Sequence, residues 1–157
     1  MVYIIIYGIS WILTFVYNRF SPSRSFIYNA CLVQLVFTVG FFGIFNFLGH
    51  VIMSEKVAQS IGWQSNGFQI ELGIVSLGIG ISGIMCYWFR DGFWIAVIIP
   101  FSIFLFGAAV LHIKEILKQN NFNSGNVLII LPDIIMPLTV IILLFLKYFI
   151  VDKIKNL

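Results

Sequence analysis

One stretch decides the class of this protein: the run from Phe26 to His50, with the sequence FIYNACLVQLVFTVGFFGIFNFLGH. It contains no Asp, Glu, Lys or Arg, and His50 is its last residue. A helix needs about 20 apolar residues to cross the hydrocarbon core of a bilayer, and this run is long enough. The run therefore predicts a transmembrane helix, and the rest of the chain repeats the pattern.

The composition of the whole chain agrees with that prediction. Apolar residues make up 61% and charged residues only 10% of its 157 residues. Soluble domains carry about 25% charged residues, so these values indicate an integral protein of the lipid bilayer. The length allows one transmembrane domain over residues 1–157. The net charge of +3 comes from basic residues at the ends of apolar runs, which excludes nucleic-acid binding.

Apolar runs separated by short polar connections predict an all-α, polytopic membrane helical bundle. The first run is short and rich in aromatic residues, so four helices plus one is the alternative to five. A short helix at about residues 54–62 is expected to lie at the membrane interface, because Val57, Ala58 and Ile61 recur at helical spacing. The five predicted transmembrane helices cover about residues 2–17, 26–50, 68–89, 93–113 and 127–150.

Residues typical of helix ends occur in the two long connections. Ser54 is expected to cap the short helix and Gly62 to end it, with Trp63 at headgroup depth. The second connection ends in the sequence NNFNSGN, which favours turns. Its last residue, Asn126, is expected to cap the fifth transmembrane helix.

The distribution of Lys and Arg predicts the orientation, because cytoplasmic loops carry more of them. Consecutive helices alternate in direction, so the basic residues divide between two sides of the membrane. The richer side is expected in the cytoplasm, which places the N-terminus outside and the C-terminus inside the cell (inner) membrane. The richer side carries Arg19, Arg24, Arg90, Lys147, Lys153 and Lys155, and the other side carries Lys56, Lys114 and Lys118.

Small residues form a stripe along the third predicted helix. Gly73, Ser76, Gly80 and Gly83 are spaced three and four residues apart, so they share one face. Small residues let helix backbones approach closely in lipid. The stripe therefore predicts a central, closely packed helix. As an alternative, the stripe packs against a partner membrane subunit or a second copy in a homo-oligomer.

Polar residues inside the apolar runs are the candidates for a functional site. His50 ends the second run, and Glu71 opens the third. His112 ends the fourth run, and Asp133 opens the fifth. Because helices alternate in direction, these side chains are predicted to lie near the same, outer side of the membrane. Ionisable groups at that depth are costly and mark functional sites or buried polar pairs. The complete set of candidate ligand-binding residues is His50, Glu71, His112, Asp133, Asn46 and Gln69.

Three interpretations of this set stay open. In the first, the residues are structural, reaching interfacial water or joining helices through polar pairs. In the second, they bind a proton, an ion or a small molecule, since histidine titrates near neutrality. In the third, His50, Glu71, His112 and Asp133 hold a divalent metal such as zinc, iron or manganese. The chain contains no short metal-binding motif, and each helix supplies a single ligand.

Several local patterns are shared with one known family: Gly49-His50, VAQSIGW over 57–63, FQIE over 68–71, HIKE over 112–115, and Asp133 with Pro137. With these patterns the chain resembles a family of small bacterial membrane proteins classed as a domain of unknown function. That family has a general likeness to the four-helix DoxX-type proteins. The resemblance covers roughly residues 40–145, leaves the first helix outside, and implies that the outer polar residues are the signature of the family.

The leading functional prediction is a membrane protein with a polar pocket at the outer end of the bundle, binding a small molecule, an ion or a proton. One alternative is a metal-dependent membrane oxidoreductase or hydrolase that uses the same residues. The other is an accessory subunit that packs through its glycine-rich third helix.

Overall fold

The computed structural model describes residues 2–155, and within that range the chain is helical and has no strand. Five helices are long and apolar enough to cross a membrane, and a short helix lies between the second and the third. The predicted all-α bundle with five helices of spanning length is therefore confirmed. The helices are α1 (Val2–Phe20), α2 (Phe26–Ile52), α3 (Ser54–Ile61), α4 (Gly67–Met85), α5 (Gly92–Gln119) and α6 (Ser124–Val151), followed by a helical turn, Asp152–Lys155.

Two of the long helices end at positions that hydropathy did not predict. α4 stops at Met85 instead of 89, because the apolar residues that follow form turns leading into the loop before α5. α5 continues to Gln119 instead of ending at 113. Its extra residues include Lys, Glu, Leu and Gln, which favour helix although they are not apolar.

Two helix caps also differ from the sequence prediction. α6 begins at Ser124, so Asn126 lies inside its first turn and is free for another role. Ser54 is the first helical residue of α3, whose cap position is Met53. Gly62 ends α3 as predicted, in the left-handed conformation with φ of 78°.

α2 is the central helix, and α4 packs against it with almost no space between the backbones. A Cβ added to Gly80 would lie 2.8 Å from the Gly40 carbonyl oxygen and 2.8 Å from the Ile44 nitrogen. One added to Gly83 would lie 2.6 Å from the Gly40 nitrogen. The close approach predicted from the glycine stripe is confirmed, and its partner is α2 of the same chain. The prediction that this helix is central is wrong, because α4 packs mainly on α2 and its opposite face is exposed.

Large aromatic side chains fill the space between α2 and α5. Trp94 and Phe101 of α5 are fully buried. Their ring centres lie 5.4 Å from that of Tyr28 and 5.6 Å from that of Phe42, respectively. Rings at these separations contribute packing as well as area. α1 and α6 also pack on α2, so this helix is surrounded by neighbours.

Lys147 of α6 marks one end of the bundle, called here the lysine end. It is 2% exposed, and its ammonium lies 3.2 Å from Asp91 Oδ1 and 2.9 Å from Asp152 Oδ2. The ammonium also lies 3.9 Å from the centre of the Tyr148 ring. This buried positive charge therefore has two carboxylate partners. The opposite end, where α2 and α5 finish and α4 and α6 begin, is called the histidine end.

Candidate functional site

The two long connections meet at the histidine end and close it together. The Asn121 amide donates a hydrogen bond to the carbonyl of Ile61, the last residue of α3, at 2.8 Å. A Cβ on Gly62 would lie 2.8 Å from the Asn121 Oδ1 atom. Gly125 is as close to Ser60, since its Cβ would lie 2.5 Å from the Ser60 carbonyl oxygen. These contacts hold α3 against the Asn-rich loop between α5 and α6, residues 120–123, and the start of α6. α3 and this loop are together called the cap.

Trp63 closes the cap over His112. The indole and imidazole rings are stacked, with centres 5.4 Å apart and planes inclined by 14°. The indole N–H donates a hydrogen bond to Glu115 Oε2 at 3.1 Å, which fixes the ring. His112 is only 8% exposed. The sequence placed Trp63 at the interface, and the structure adds that it covers one of the predicted site residues.

His112 is hydrogen-bonded to Asn126, which is itself fully buried. His112 Nδ1 and Asn126 Oδ1 are 2.7 Å apart. The Asn126 amide nitrogen donates to the carbonyls of His112, at 3.3 Å, and Asn121, at 2.9 Å. Asn126 Oδ1 is therefore the acceptor, and His112 Nδ1 carries the hydrogen. In the neutral ring this leaves Nε2 as the hydrogen-bond acceptor.

His50 lies within electrostatic range of His112 but is bonded differently. Its side chain is half-buried, and its Nδ1 atom is buried with no hydrogen-bond partner in the part of the chain that the structure describes. The backbone of α4 presses against it, since a Cβ on Gly73 would lie 3.2 Å from that of His50. His50 thus offers an unused ring nitrogen inside the histidine end.

Asn46, one turn from His50, joins three helices. Its Oδ1 accepts a hydrogen bond from the Tyr3 hydroxyl of α1 at 2.8 Å. Its amide nitrogen donates to Ser76 Oγ of α4 at 2.7 Å, and that hydroxyl donates to the Leu72 carbonyl at 2.8 Å. Asn46 is 4% exposed. Its oxygen and its nitrogen are both engaged, so it positions the helices around the site.

Asp133 is the buried carboxyl residue of the set, and part of its carboxyl group lacks a hydrogen-bond partner in the part of the chain that the structure describes. It is 2% exposed, and its Oδ2 atom has no hydrogen-bond partner among residues 2–155. It lies within electrostatic range of the Tyr3 hydroxyl. Pro137, one turn later in α6, has no N–H to donate to the Asp133 carbonyl. A side-chain oxygen and a main-chain oxygen of the same buried residue therefore lack their usual donors.

Glu71 and Gln69 lie apart from these buried groups. Glu71 is exposed, because the opposite face of α4 carries the small residues that pack against α2. Gln69 is half-buried and donates a hydrogen bond to the Ser54 carbonyl at 2.9 Å, which ties α4 to α3. Within the described residues, no three His, Cys, Asp or Glu side chains come together where they could hold a metal ion. The four residues predicted as metal ligands are thus not gathered into one such group.

A second polar feature, on α1, is not among the features predicted from the sequence. Every third or fourth residue along this helix is hydrogen-bonded to α2 or α6, and the bonded residues share one face. This face is called the polar seam. Its spacing was the available signal, but the tyrosines and Trp11 gave the run the appearance of an interfacial segment. The seam consists of Tyr3, Tyr7, Ser10, Thr14 and Asn18.

The chain belongs to a family of unknown function, DUF6790, whose family model matches residues 1–150. The match includes α1, so the expectation that the first helix lies outside the family is wrong. Comparison with curated proteins and with solved structures gave no significant match. The likeness to DoxX-type proteins and the bacterial origin stay predictions.

Proposed function

We propose that this protein is an integral membrane protein that takes up a proton or another small cation at Asp133, beneath the cap. The observation that carries the proposal is a carboxyl group in a residue that is 2% exposed, with one oxygen lacking a hydrogen-bond partner in the described range. The family has no assigned activity. The support therefore comes from the chemistry of this residue and its surroundings.

A cation is the ligand that this environment favours. An ionised carboxylate is costly to bury without a partner, above all at membrane depth. Asp133 is stable there when its carboxyl group carries a proton or faces a positive charge. Its main-chain carbonyl, deprived of a helical donor by Pro137, adds a second oxygen that attracts a cation or a hydrogen-bond donor.

The side chains of the histidine end suit the exchange of a proton. Its titratable groups include Tyr3 of α1, His50 of α2, Glu71 of α4 and His112 of α5. Hydroxyl groups and neutral imidazoles both donate and accept hydrogen bonds, and histidine changes its charge in the physiological range. His50 lies nearer the helix ends than Asp133 and has an open Nδ1 atom.

In the proposed orientation the histidine end faces outward and the lysine end faces the cytoplasm of the inner membrane. The support is the excess of Lys and Arg at the lysine end, which is typical of cytoplasmic loops. The N-terminus is then outside and the C-terminus inside. The cation enters from the outer side, past the cap.

Infrared spectroscopy of purified protein with ¹³C-labelled aspartate carboxyl groups tests this proposal. Wild type and Asp133→Asn are compared as the medium is acidified and, separately, as sodium, potassium or ammonium is added at constant ionic strength. We expect a carboxyl signal in the wild type that responds to the proton or to one of the cations. Asp133→Asn is expected to lack that signal while circular dichroism shows the same helix content.

Glu71→Gln is the matched control, because it removes a carboxyl group at the same end of the bundle from an exposed position. It is expected to leave the Asp133 signal unchanged. Identical spectra for the wild type and Asp133→Asn under every condition would overturn the proposal. So would an Asp133 signal that ignores acid and all three cations.

A further inference from the structure

We propose that the polar seam of α1 is a proton route that connects Asp133 with the lysine end. This inference rests on the proposed uptake of a proton at Asp133 and extends it across the bundle. Tyr3 and Asn18, the ends of the seam, are about 22 Å apart along a helix that rises 1.5 Å per residue. This length covers most of the hydrocarbon core of a bilayer, which is about 30 Å thick.

The seam begins at the histidine end, the end of the bundle that also holds Asp133. The Tyr3 hydroxyl lies within electrostatic range of that carboxyl group and donates to Asn46 Oδ1 at 2.8 Å. One turn further along α1, the hydroxyls of Tyr7 and Thr139 are 2.7 Å apart, and either can be the donor. Thr139 belongs to α6, the helix that carries Asp133. The second level of the seam is therefore bonded to the helix that carries Asp133.

In the middle of the seam, Ser10 and Thr14 form a cluster with two polar residues of α2, and none of these side chains has exposed surface. Ser10, Thr14, Gln34 and Thr38 are each 0% exposed. Ser10 Oγ donates to Gln34 Oε1 at 2.9 Å, and Thr38 Oγ1 lies 2.9 Å from Ser10 Oγ. The Gln34 amide donates to Thr14 Oγ1 at 3.3 Å. Gln34 and Thr38 lie on the π-helical segment of α2, Gln34–Phe41, a type of distortion that is frequent at functional sites.

The seam ends at the turn between α1 and α2. The Asn29 amide of α2 donates to Asn18 Oδ1 at 3.0 Å and to the Ser21 carbonyl at 3.0 Å. Asn29 is 0% exposed, and its Oδ1 atom has no hydrogen-bond partner in the described part of the chain. Ser21 is only half-buried. The route thus reaches the surface at the lysine end through this turn.

The hydroxyls of the seam can pass a proton, because each hydroxyl donates one hydrogen bond and accepts others, so its direction can reverse. The amides of Gln34, Asn18 and Asn29 have fixed donors and acceptors, so we assign them the role of holding the hydroxyls and bridging waters of the route in place. Successive levels of the seam are about one helical pitch, or 5.4 Å, apart. One bridging water spans such a gap. The unpartnered oxygens of Asp133 and Asn29 lie near the two ends of the seam, where such waters would satisfy them.

Interhelical hydrogen bonds also hold membrane helices together, and they do so without conducting anything. A pair of variants at Thr38 separates the two roles. Thr38→Ser keeps the hydroxyl, whereas Thr38→Val keeps the shape and loses it. Ser102→Ala is the matched control, because Ser102 is a buried hydroxyl on α5 whose Oγ has no hydrogen-bond partner among the described residues.

The experiment measures proton flux into phosphatidylcholine vesicles that contain the full-length protein and a trapped pH-sensitive dye. A potassium gradient with valinomycin supplies the driving potential. We expect wild type, Thr38→Ser and Ser102→Ala to acidify the vesicles several-fold faster than protein-free vesicles do. Thr38→Val and Asp133→Asn are expected to fall to the protein-free rate. If Thr38→Val does not fold, Ser10→Ala removes the neighbouring hydroxyl of the same cluster and takes its place.

A wild-type rate equal to that of protein-free vesicles overturns the route, and so does equal flux in Thr38→Val and Thr38→Ser. The infrared signal of Asp133 keeps this result distinct from the proposed function. Proton uptake at Asp133 without proton flux would rule out the route but not the Asp133 site. Absence of uptake at Asp133 removes the site itself.

Discussion

The two ends of the bundle each bury an ionisable side chain, but they differ in the partners that this side chain has. At the lysine end, Lys147 is 2% exposed, and its ammonium has Asp91 and Asp152 within 3.2 Å and 2.9 Å. At the histidine end, Asp133 is also 2% exposed, yet its Oδ2 atom meets no donor within the described chain. The two side chains are equally buried, but Lys147 has oppositely charged partners and Asp133 Oδ2 has no hydrogen-bond partner among the described residues.

Under the proposed function, this difference distinguishes a structural charge from a functional one. A buried charge that keeps its partners can be permanent, and removing the partners is strongly destabilising. A buried group without partners is stable only in a neutral form or with a bound counterion, so its state depends on its surroundings. We therefore interpret the lysine end as a fixed anchor and the histidine end as the place where a cation is exchanged.

The largest effect on stability is expected at the lysine end, when the carboxylate partners of Lys147 are removed. The double variant Asp91→Asn/Asp152→Asn leaves the Lys147 charge buried without a carboxylate, and we expect it to lower the free energy of unfolding by about 3 kcal/mol. Chemical denaturation in detergent measures this loss. Lys153→Gln, which removes an exposed lysine nearby, is the control and should change little. A double variant as stable as the wild type would mean that Lys147 is not held by these carboxylates.

Removing the charge of Lys147 itself tests whether the lysine or its carboxylate partners are the buried charge. Lys147→Met should cost less than the double aspartate variant, because the Asp91 and Asp152 side chains are 75% and 37% exposed and stay solvated. The apolar part of the new side chain keeps the packing. The opposite order of stability, from the same denaturation series, would contradict the assignment of Lys147 as the buried partner.

Within the histidine end, the two histidines are expected to differ. His112→Ala leaves the buried Asn126 Oδ1 without its donor and removes the ring under Trp63, so we expect a loss of about 2 kcal/mol. His50→Ala removes a ring whose Nδ1 atom makes no hydrogen bond in the described structure, so the loss should be smaller. Thermal unfolding followed by tryptophan fluorescence compares the two. Equal losses would remove the distinction between a bonded and an unbonded histidine.

The cap can be loosened without touching the buried groups. Gly62→Ala forces a side chain into the left-handed conformation and against Asn121, so a loss of about 1 to 2 kcal/mol is expected. Gly67→Ala is the control, since a Cβ there meets nothing within 4 Å. Hydrogen exchange of α3 amides should accelerate in Gly62→Ala alone. Unchanged exchange in α3 would show that this contact does not hold the cap.

The smallest effect concerns the exposed carboxylate of the histidine end. Glu71→Gln should change the free energy of unfolding by less than about 0.5 kcal/mol, as most substitutions at exposed positions do. The same denaturation experiment measures it. A loss comparable to that of His112→Ala would mean that Glu71 belongs to the buried group after all.

The sequence predicted the features that depend on composition and on small-residue spacing. Apolar runs identified five helices of spanning length, and the glycines of α4 predicted its close packing against another helix, without indicating that this helix is α2. Helix direction alone was enough to bring His50, His112 and Asp133 to one end. These predictions succeeded because each depends on local pattern and on the thickness of a bilayer.

The features that escaped prediction depend on which face of a helix meets which neighbour. Glu71 lies at the predicted end of the bundle but on the exposed face of α4, which spacing within one helix does not determine. Asn126 was expected to cap α6 and is instead hydrogen-bonded to His112, because the helix begins two residues earlier. The polar seam was hidden because its tyrosines are also typical of a membrane interface.

The most direct test of the account is the free energy of unfolding of Asp133→Asn, measured beside the wild type in the same detergent and free of sodium, potassium and ammonium, so that no bound cation stabilises the wild type. A carboxyl group without a hydrogen-bond partner contributes nothing that asparagine lacks, so we predict a stability that is unchanged or higher. A loss of about 2 kcal/mol or more would mean that Asp133 has a stabilising partner. The histidine end would then be a structural anchor like the lysine end, which contradicts the account.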